Sequence, residues 1–269
     1  MSRIALVGNL AVDRVAGGPP RAGGGVFHGA RAAVHVGADA VVATRCAPAD
    51  RAVALAPLEA LGLPVACAEA HETTAFSFHY EGDHRVMEVD AVGDDWQRED
   101  LDGWAADLLR DAAWVHVAGL LRSHFPTDVV ERLAAGRRLL LDAQGILRHS
   151  RTGPLERDSE IDRTLLEHLA VLKLNEDEAR ILAGGLEPDR LRALGVAEVV
   201  LTLGSEGARV VTEAEVVDVP AHPTRGDVDP TGAGDAFSVL YLAGRAQGLE
   251  PGAAAKAAGA SVAELISGG

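Results

Sequence analysis

The sequence has few cysteines and few aromatic residues, and both shortages restrict the kind of protein it encodes. Its two cysteines, Cys46 and Cys67, lie in apolar surroundings and form no C-x-x-C pair. We therefore expect free thiols in a reducing cytoplasm rather than a disulfide scaffold. Aromatic residues make up 4% of the chain and hydrophobic residues 48%, so the core has to be built mainly from Ala, Val and Leu.

Long apolar runs are lacking as well. The apolar segment Ile4–Val7 is too short for a signal peptide, and no later run has the length to span a bilayer. The formal net charge of −15 argues against nucleic-acid or anionic-membrane partners, because the long-range field repels polyanions. A nucleotide can still bind through local N–H groups and Mg²⁺. We expect a cytoplasmic protein.

Familiar nucleotide-binding and metal-binding patterns are also missing. A P-loop needs G-K-[ST], but neither Lys173 nor Lys256 follows a glycine. The glycine clusters Gly23-Gly24-Gly25 and Gly232-Ala233-Gly234 do not complete G-x-G-x-x-G. No histidine or cysteine spacing is typical of zinc.

Short apolar segments alternate with helical segments along most of the 269 residues, which favours a single α/β domain over residues 1–269. Repeated βα units require a parallel sheet buried on both faces. Tight turns join the last three strands and predict an antiparallel edge. The predicted strands are Ile4–Val7, Ala40–Thr44, Trp114–Ala118, Leu139–Leu141, Val171–Leu174, Val199–Thr202, Ala208–Val211 and Val216–Val219.

Two stretches interrupt this alternation. Residues 17–25 are rich in glycine and proline and predict a loop before a helix at Ala30–Val36. Between residues 73 and 92, aromatic residues alternate with smaller or polar ones around Glu81-Gly82-Asp83, which predicts a β-hairpin. Such a stripe is most often sheet packing. A lid over a cleft, or a pairing surface for a second subunit, are the sharper alternatives.

The stretch Asp229–Phe237 combines two glycines with a helix start, ahead of an apolar helix from about Ser238 to Ala246. Such a turn leaves backbone N–H groups unpaired and lets an anion approach without meeting a Cβ. Asp235 lies in the same turn, where the helix dipole favours its charged form. A carboxylate beside an anion cradle suggests a base beside a phosphoryl group. An ordinary loop with an acidic first-turn residue is the alternative.

Asp229–Phe237 resembles the C-terminal signature of the PfkB, or ribokinase-like, family of carbohydrate and nucleoside kinases, D-x-x-G-A-G-D-x-F. Other stretches follow in that family's order, and the similarity runs from Ile4 to the C-terminus. They are Gly8–Asp13 for the first substrate loop, Gly23-Gly24 with Ala30 for the diglycine signature, Leu174–Glu178 for N-x-x-E, and Leu201–Gly204 with Gly207 for the nucleotide turn. The resemblance implies a three-layer α/β/α sandwich with a mostly parallel central sheet and a small β lid.

The resemblance also implies an activity, an ATP- and Mg²⁺-dependent kinase acting on a hydroxyl of a small polyhydroxylated substrate. Asp235 would be the general base, and the amides of Gly232, Ala233 and Gly234 would form the anion hole. The other implied residues are Asn175 and Glu178 for the hydration shell of Mg²⁺, Thr202, Gly204, Gly207 and Arg225 for the nucleotide, and Asp13, Gly24 and His28 for the substrate. Glu178 would reach the metal through water. The alternatives are a solvated first-turn carboxylate for Glu178 and a surface arginine for Arg225.

Departures from the family pattern bear on specificity. His28 stands where the family usually has an asparagine that contacts sugar hydroxyls, so ribose specificity does not follow, and a packed helix residue is the alternative. Pro230 replaces the common threonine and fixes φ, which leaves dependence on a monovalent cation open. Asp142–Gly145 with Arg148 resembles a D-x-Q-G-x-x-R stretch of some subgroups, including relatives of inositol kinases. A turn plus a surface arginine is the plain alternative.

Sugars, cyclitols such as myo-inositol, and nucleosides are all candidate substrates on this basis. We expect a monomer or a homodimer formed through the lid. A catalytically silent ligand-binding protein that kept the fold is the alternative function, and the cradle with its carboxylate argues against it because a pure binder needs no base.

Overall fold

Nine strands form the central sheet of the computed structural model, which describes residues 2–81, 84–224 and 230–267, with the backbone alone at residues 80, 81, 84 and 85. In spatial order the strands are β14 (Val216–Pro220), β13 (Gly207–Thr212), β12 (Glu198–Thr202), β11 (Val171–Asn175), β9 (Arg138–Asp142), β8 (Trp114–Ala118), β1 (Ile4–Asn9), β4 (Ala40–Cys46) and β5 (Val65–Glu69). Neighbouring strands from β12 to β5 are parallel, whereas β13 pairs antiparallel with β12 and with β14. The antiparallel edge predicted from the sequence is present.

Helices cover both faces of this sheet. One layer contains α1 (Gly25–His35), α2 (Ala56–Glu59), α9 (Ala233–Ala246) and α10 (Pro251–Ser267). The other contains α3 (Arg98–Asp102), α4 (Ala106–Leu109), α5 (Thr127–Ala134), α6 (Gln144–Leu147), α7 (Glu176–Leu182) and α8 (Pro188–Arg192). The predicted three-layer α/β/α architecture is therefore confirmed. None of the helices in the described ranges combines the length and the apolar character needed to cross a membrane.

Strand β1 shows why the buried strands read as continuous apolar runs. Ile4 and Leu6 pack in the core beneath α1 and α9, whereas Ala5 and Val7 pack in the core on the opposite face. Successive strand residues point to opposite faces, so a strand covered on both faces has to be apolar at every position. The same reason explains the runs in β4 and β9.

A second, five-stranded sheet forms the lid. Its strands, in spatial order, are β10 (Gly153–Pro154), β7 (His84–Ala91), β6 (Thr74–Glu81), β2 (Ala11–Val15) and β3 (Arg21–Gly23). The hairpin strands β6 and β7 lie within the predicted residues 73–92. Phe76 and Val89 pack against Leu120 and Leu121 beneath the lid.

The structure corrects three predictions from the sequence. Residues 17–25 are not a loop throughout, because residues 21–23 pair with β2 as the edge strand β3. Helix α1 begins at Gly25 rather than at Ala30, directly after the diglycine. Helix α9 begins at Ala233 rather than near Ser238, because the glycine turn supplies its first helical residues. Asp235 therefore lies in the first turn of α9.

His124 connects the lid to the central sheet. Its ring is fully buried after β8, with Nε2 3.4 Å from the hydroxyl of Thr74 on β6, and its Nδ1 accepts a hydrogen bond from the Leu120 amide at 3.4 Å. Burial lowers the pKa of His124 from 6.5 to about 4, against a small opposing effect of the Asp94 carboxylate. The folded protein therefore keeps this imidazole neutral in mildly acidic solution.

We expect His124 to make the free energy of unfolding fall by about 2–3 kcal/mol between pH 7 and pH 4.5. The unfolded imidazole takes up a proton near its ordinary pKa of 6.5, whereas the folded one does so only near 4, so stability is lost across that window as pH falls. His124→Asn should reduce the pH dependence by this amount in urea unfolding at both pH values. An unaltered dependence in the His124 variant would contradict the assignment.

Candidate functional site

The first turn of α9 holds the glycine turn and the predicted base. Gly232 caps the helix with a φ of +78°, in the left-handed region that glycine adopts most readily. The N–H of Ala233 donates to the Pro230 carbonyl at 3.0 Å. The amides of Gly234 and Asp235 come next in the turn, where helical N–H groups have no intrahelical acceptor. An anion at this helix end would meet these amides and the helix dipole together.

This helix start lies between two cavities. The larger, of about 890 Å³, is lined on this side by Lys173, Asn175, Thr202, Gly204, Gly207, Ala233 and Gly234. The smaller, of about 60 Å³ beneath the lid, is lined by Asp13, Gly24, His28, Gln144, Arg148, Gly232 and Asp235, among others. Most residues predicted for the nucleotide thus face one cavity, and those predicted for the substrate face the other.

Asp235 is held from two sides. Gln144 on α6 donates from Nε2 to Asp235 Oδ1 at 3.0 Å. The start of α1 faces the same oxygen, since a Cβ built on Gly25 would lie 3.2 Å from it. The carboxylate therefore lies near the positive ends of two helices, α1 and α9, with one oxygen engaged by an amide donor.

His28 on α1 packs against the glycine turn and also lines the small cavity. A Cβ built on Gly232 would overlap the His28 ring, which makes an edge-on contact with Phe27 at a centroid distance of 5.5 Å. The sequence left a packed residue and a substrate contact as alternatives. The described geometry allows both.

Asn175 and Glu178 interact with each other. The Asn175 side chain accepts from the Glu178 amide at 2.9 Å, and the Glu178 carboxylate accepts from the Asn175 amide at 2.8 Å, which is a capping box on α7. Glu178 is only 3% exposed, so it is not the solvated carboxylate of the plain interpretation. Within the described ranges, no group of three or more His, Cys, Asp or Glu residues is arranged to hold a metal ion. The role of Glu178 in holding Mg²⁺ stays a prediction.

The remaining predicted nucleotide residues lie at the turn between β12 and β13. Thr202 donates its hydroxyl to the Leu174 carbonyl at 3.2 Å, which ties this turn to β11. Gly204 and Gly207 lie along the same wall of the large cavity. Arg225, like the first residue of the signature, Asp229, falls outside the described residues.

A buried polar cluster beneath the glycine turn was not predicted from the sequence. Asp142 at the end of β9 forms an ion pair with Lys173 Nζ at 3.0 Å, lies 2.6 Å from His116 Nε2, and accepts from the Ser238 hydroxyl at 2.8 Å. All four residues are at most 7% exposed. A polar residue in the middle of an apolar strand, as in Val171-Leu172-Lys173-Leu174 and Trp114-Val115-His116-Val117, was the available signal.

The charges of this cluster stabilise one another. Burial alone would lower the pKa of Lys173, but the carboxylates of Asp142, Glu178 and Asp235 raise it above its ordinary value. Burial alone would raise the pKa of Asp142, but Lys173 and His116 together hold it well below its ordinary value. The ammonium and the carboxylate are therefore both charged at neutral pH.

The family model of pfkB family carbohydrate kinases matches residues 15–267 of the chain. The chain belongs to the pfkB family. The resemblance seen in the glycine-rich signature is thereby confirmed.

Two curated relatives match part of the chain at low sequence identity. A ribokinase of Bacillus subtilis (strain 168) is 27% identical over 170 residues, which is 63% of this chain and 54% of the ribokinase. An inositol 3-kinase of Oryza sativa subsp. japonica is 31% identical over 223 residues, 74% of this chain and 49% of that protein. The chain therefore spans about half the length of the curated relatives it matches.

Solved structures resemble the chain over nearly its whole length. A pyrophosphate-dependent kinase in the ribokinase family, solved with a pyrophosphate analog and myo-inositol, matches with a TM-score of 0.84 at 23% identity. The match covers 98% of this chain and 94% of that chain. At this level of identity the likeness shows the ribokinase fold.

Gly232→Ala should destabilise the protein more than the same change at the other end of α9. Ala at a φ of +78° costs about 1–2 kcal/mol, and its Cβ would also overlap the His28 ring. Gly248→Ala has a φ of +86° but no neighbour within 4 Å, so it should cost the backbone strain alone. Urea unfolding of both variants measures the difference, and equal losses would show that His28 does not pack on this turn.

Proposed function

We propose that this chain transfers the γ-phosphoryl group of ATP to a hydroxyl of a small polyhydroxylated substrate. One observation carries the proposal, the position of the α9 start between the two cavities. Ala233 and Gly234 face the large cavity, while Gly232 and Asp235 face the small one. A donor in the large cavity and an acceptor in the small one would meet across an anion-binding turn, and such positioning is the main requirement of phosphoryl transfer.

Asp235 would act as the general base. It would accept the proton of the substrate hydroxyl as that oxygen attacks the γ-phosphorus and ADP leaves. Gln144 occupies Asp235 Oδ1, so the other carboxylate oxygen is suited to take the proton. The amides at the start of α9 would stabilise the negative charge that develops on the transferred group.

Mg²⁺ would neutralise charge on the donor phosphates when it is bound. Asn175, Glu176 and Asp177 line the large cavity close to the start of α7, and Glu178 lies just behind them. Mg²⁺ is usually held by one or two carboxylates together with waters and substrate phosphates. This donor set fits such an ion, with Glu178 acting through water.

The large cavity favours ATP over pyrophosphate as the donor. Its volume of about 890 Å³ is in the upper range of small-molecule sites. Beyond the glycine turn its wall is apolar and comes from β14 and α10, with Val219, Ala255, Val262 and Ile266 among the lining residues. Pyrophosphate would leave this wall uncovered, whereas a nucleoside would bury it.

The polar groups that line the small cavity suit a polyol. Asp13 and Asp235 supply hydrogen-bond acceptors, and Gln144 and Arg148 supply donors. Alternating hydroxyls of a cyclitol or a sugar can satisfy both kinds of group. The names of the curated relatives, ribokinase and inositol 3-kinase, support the same class of acceptor.

Asp235→Asn should lower turnover about 10²–10⁴-fold, the usual contribution of a general base, and leave ATP binding nearly unchanged. Coupled ADP release with myo-inositol, ribose, fructose and inosine as acceptors measures turnover, and calorimetric titration measures binding. Asp111→Asn on the exposed surface is the control. Full turnover in the Asp235 variant would refute the mechanism, and ligand binding without ADP release from any acceptor would favour the silent binding protein.

ATP should support turnover at least about tenfold faster than pyrophosphate does. Gly259→Leu, which fills part of the apolar wall, should raise the KM for ATP about tenfold, as expected when a well-packed apolar contact is lost. Ala253→Leu on the exposed side of α10 is the matched control. Faster turnover with pyrophosphate, unaffected by Gly259→Leu, would identify pyrophosphate as the donor.

A further inference from the structure

We propose that Lys173 contacts the phosphoryl group during its transfer, and that Asp142, with His116 and Ser238, holds the Lys173 ammonium group beneath the glycine turn. The inference rests on the proposed function. It adds a catalytic residue, Lys173, and a set of positioning residues, of which the sequence patterns had included only Asp142 and had given it no such role.

The ammonium group of Lys173 lies between the large cavity and the glycine turn. Lys173 lines the large cavity, and a Cβ built on Gly234 would lie 2.9 Å from Lys173 Nζ. Any side chain at position 234 would therefore crowd the ammonium group. The cation lies at the end of the cavity where the first amides of α9 are found, which is where the proposed reaction places the γ-phosphoryl group.

The carboxylate of Asp142 holds the ammonium group of Lys173 in place. Lys173 and Asp142 are register partners on the neighbouring strands β11 and β9. Asp142 Oδ1 receives Lys173 Nζ at 3.0 Å and the Ser238 hydroxyl at 2.8 Å, while Oδ2 lies 2.6 Å from His116 Nε2. Two strands and α9 thus fix the carboxylate, and the carboxylate fixes the cation. An ammonium group has three N–H donors, so it can bind a phosphoryl oxygen and keep this ion pair.

Burying the ion pair between Asp142 and Lys173 carries a desolvation penalty. Replacing a buried ion pair by apolar side chains is often neutral or stabilising, so stability alone gives little reason to place a lysine in an apolar strand. Arg180, which also lines the large cavity, is paired with Glu176 and Asp177 on its own helix. A fixed cation beside the glycine turn does have a use in the proposed reaction, because it neutralises charge on the transferred group without reorganisation.

Lysine rather than arginine fits this place. The chain has two lysines, Lys173 and Lys256, among 25 basic residues. An ammonium group is a compact point charge, whereas a guanidinium group is a planar fork that needs more room. The 2.9 Å separation from a Cβ position at Gly234 leaves little space for the larger group.

Lys173→Met tests the contact through nucleotide affinity. Calorimetric titration with Mg²⁺ compares ADP with a non-hydrolysable ATP analogue, which differ in the γ-phosphoryl group. We expect the affinity for the analogue to fall about 10–100-fold, as for a lost hydrogen bond to a charged group, and that for ADP by less than about threefold. Lys256→Met, on the exposed side of α10, should change neither. A merely structural lysine would weaken both ligands alike or neither, and either result overturns the proposal.

The double variant Lys173→Met with Asp142→Asn guards against misfolding, because it does not leave a buried carboxylate without its cation. Its circular dichroism and thermal unfolding establish the fold, and the same selective loss of the ATP analogue is expected. Wild-type preference for the analogue in this variant would overturn the inference while leaving the proposed function intact. A wild-type protein that binds neither nucleotide would instead overturn the proposed function and this inference together.

Discussion

The ion pair between Asp142 and Lys173 is the constraint on which the site depends. Both groups lie in the core, where an unpaired charge is costly, so β9 and β11 have to keep the register that brings them together. Ser238 extends the same cluster to the second turn of α9. The cluster therefore sets how the glycine turn sits above the carboxyl ends of the strands, which is where ligands bind in open α/β sheets.

The lid and the small cavity depend on the same chain segments. The segment from β1 to α1 contributes β2 and β3 to the lid, and it also carries Asp13 and Gly24 into the small cavity. Strand β10 pairs with β7 and follows Arg148, another residue of that cavity. A substrate in the small cavity would thus contact elements that belong to both sheets, which connects acceptor binding to the position of the lid.

The family and the layered architecture could be predicted because they depend on local patterns. Strands buried on both faces must be apolar throughout. The sequence Gly232-Ala233-Gly234-Asp235 is specific to the C-terminal signature of the family. Strand β3 could not be predicted, because its three residues belong to the lid only through their pairing with β2. The polar cluster around Asp142 could not be predicted for a related reason. Its partners lie 26 to 96 residues away in the sequence, and only the register of neighbouring strands reveals which charges meet.

The chain as a whole is strongly acidic, whereas the groups proposed to contact a donor phosphate are the Lys173 ammonium group and backbone amides, and distance explains how both can hold. A net charge of −15 repels anions at long range, but mobile ions screen that field over about 8 Å at physiological salt. Lys173 and the amides at the start of α9 would act on a bound phosphate at direct contact, where no such screening applies. Binding of an anionic donor should therefore be governed by these few groups and by the Mg²⁺ that accompanies the donor. This dependence on local charge is the physical reason to expect one buried lysine to matter in a chain with so large an acidic excess.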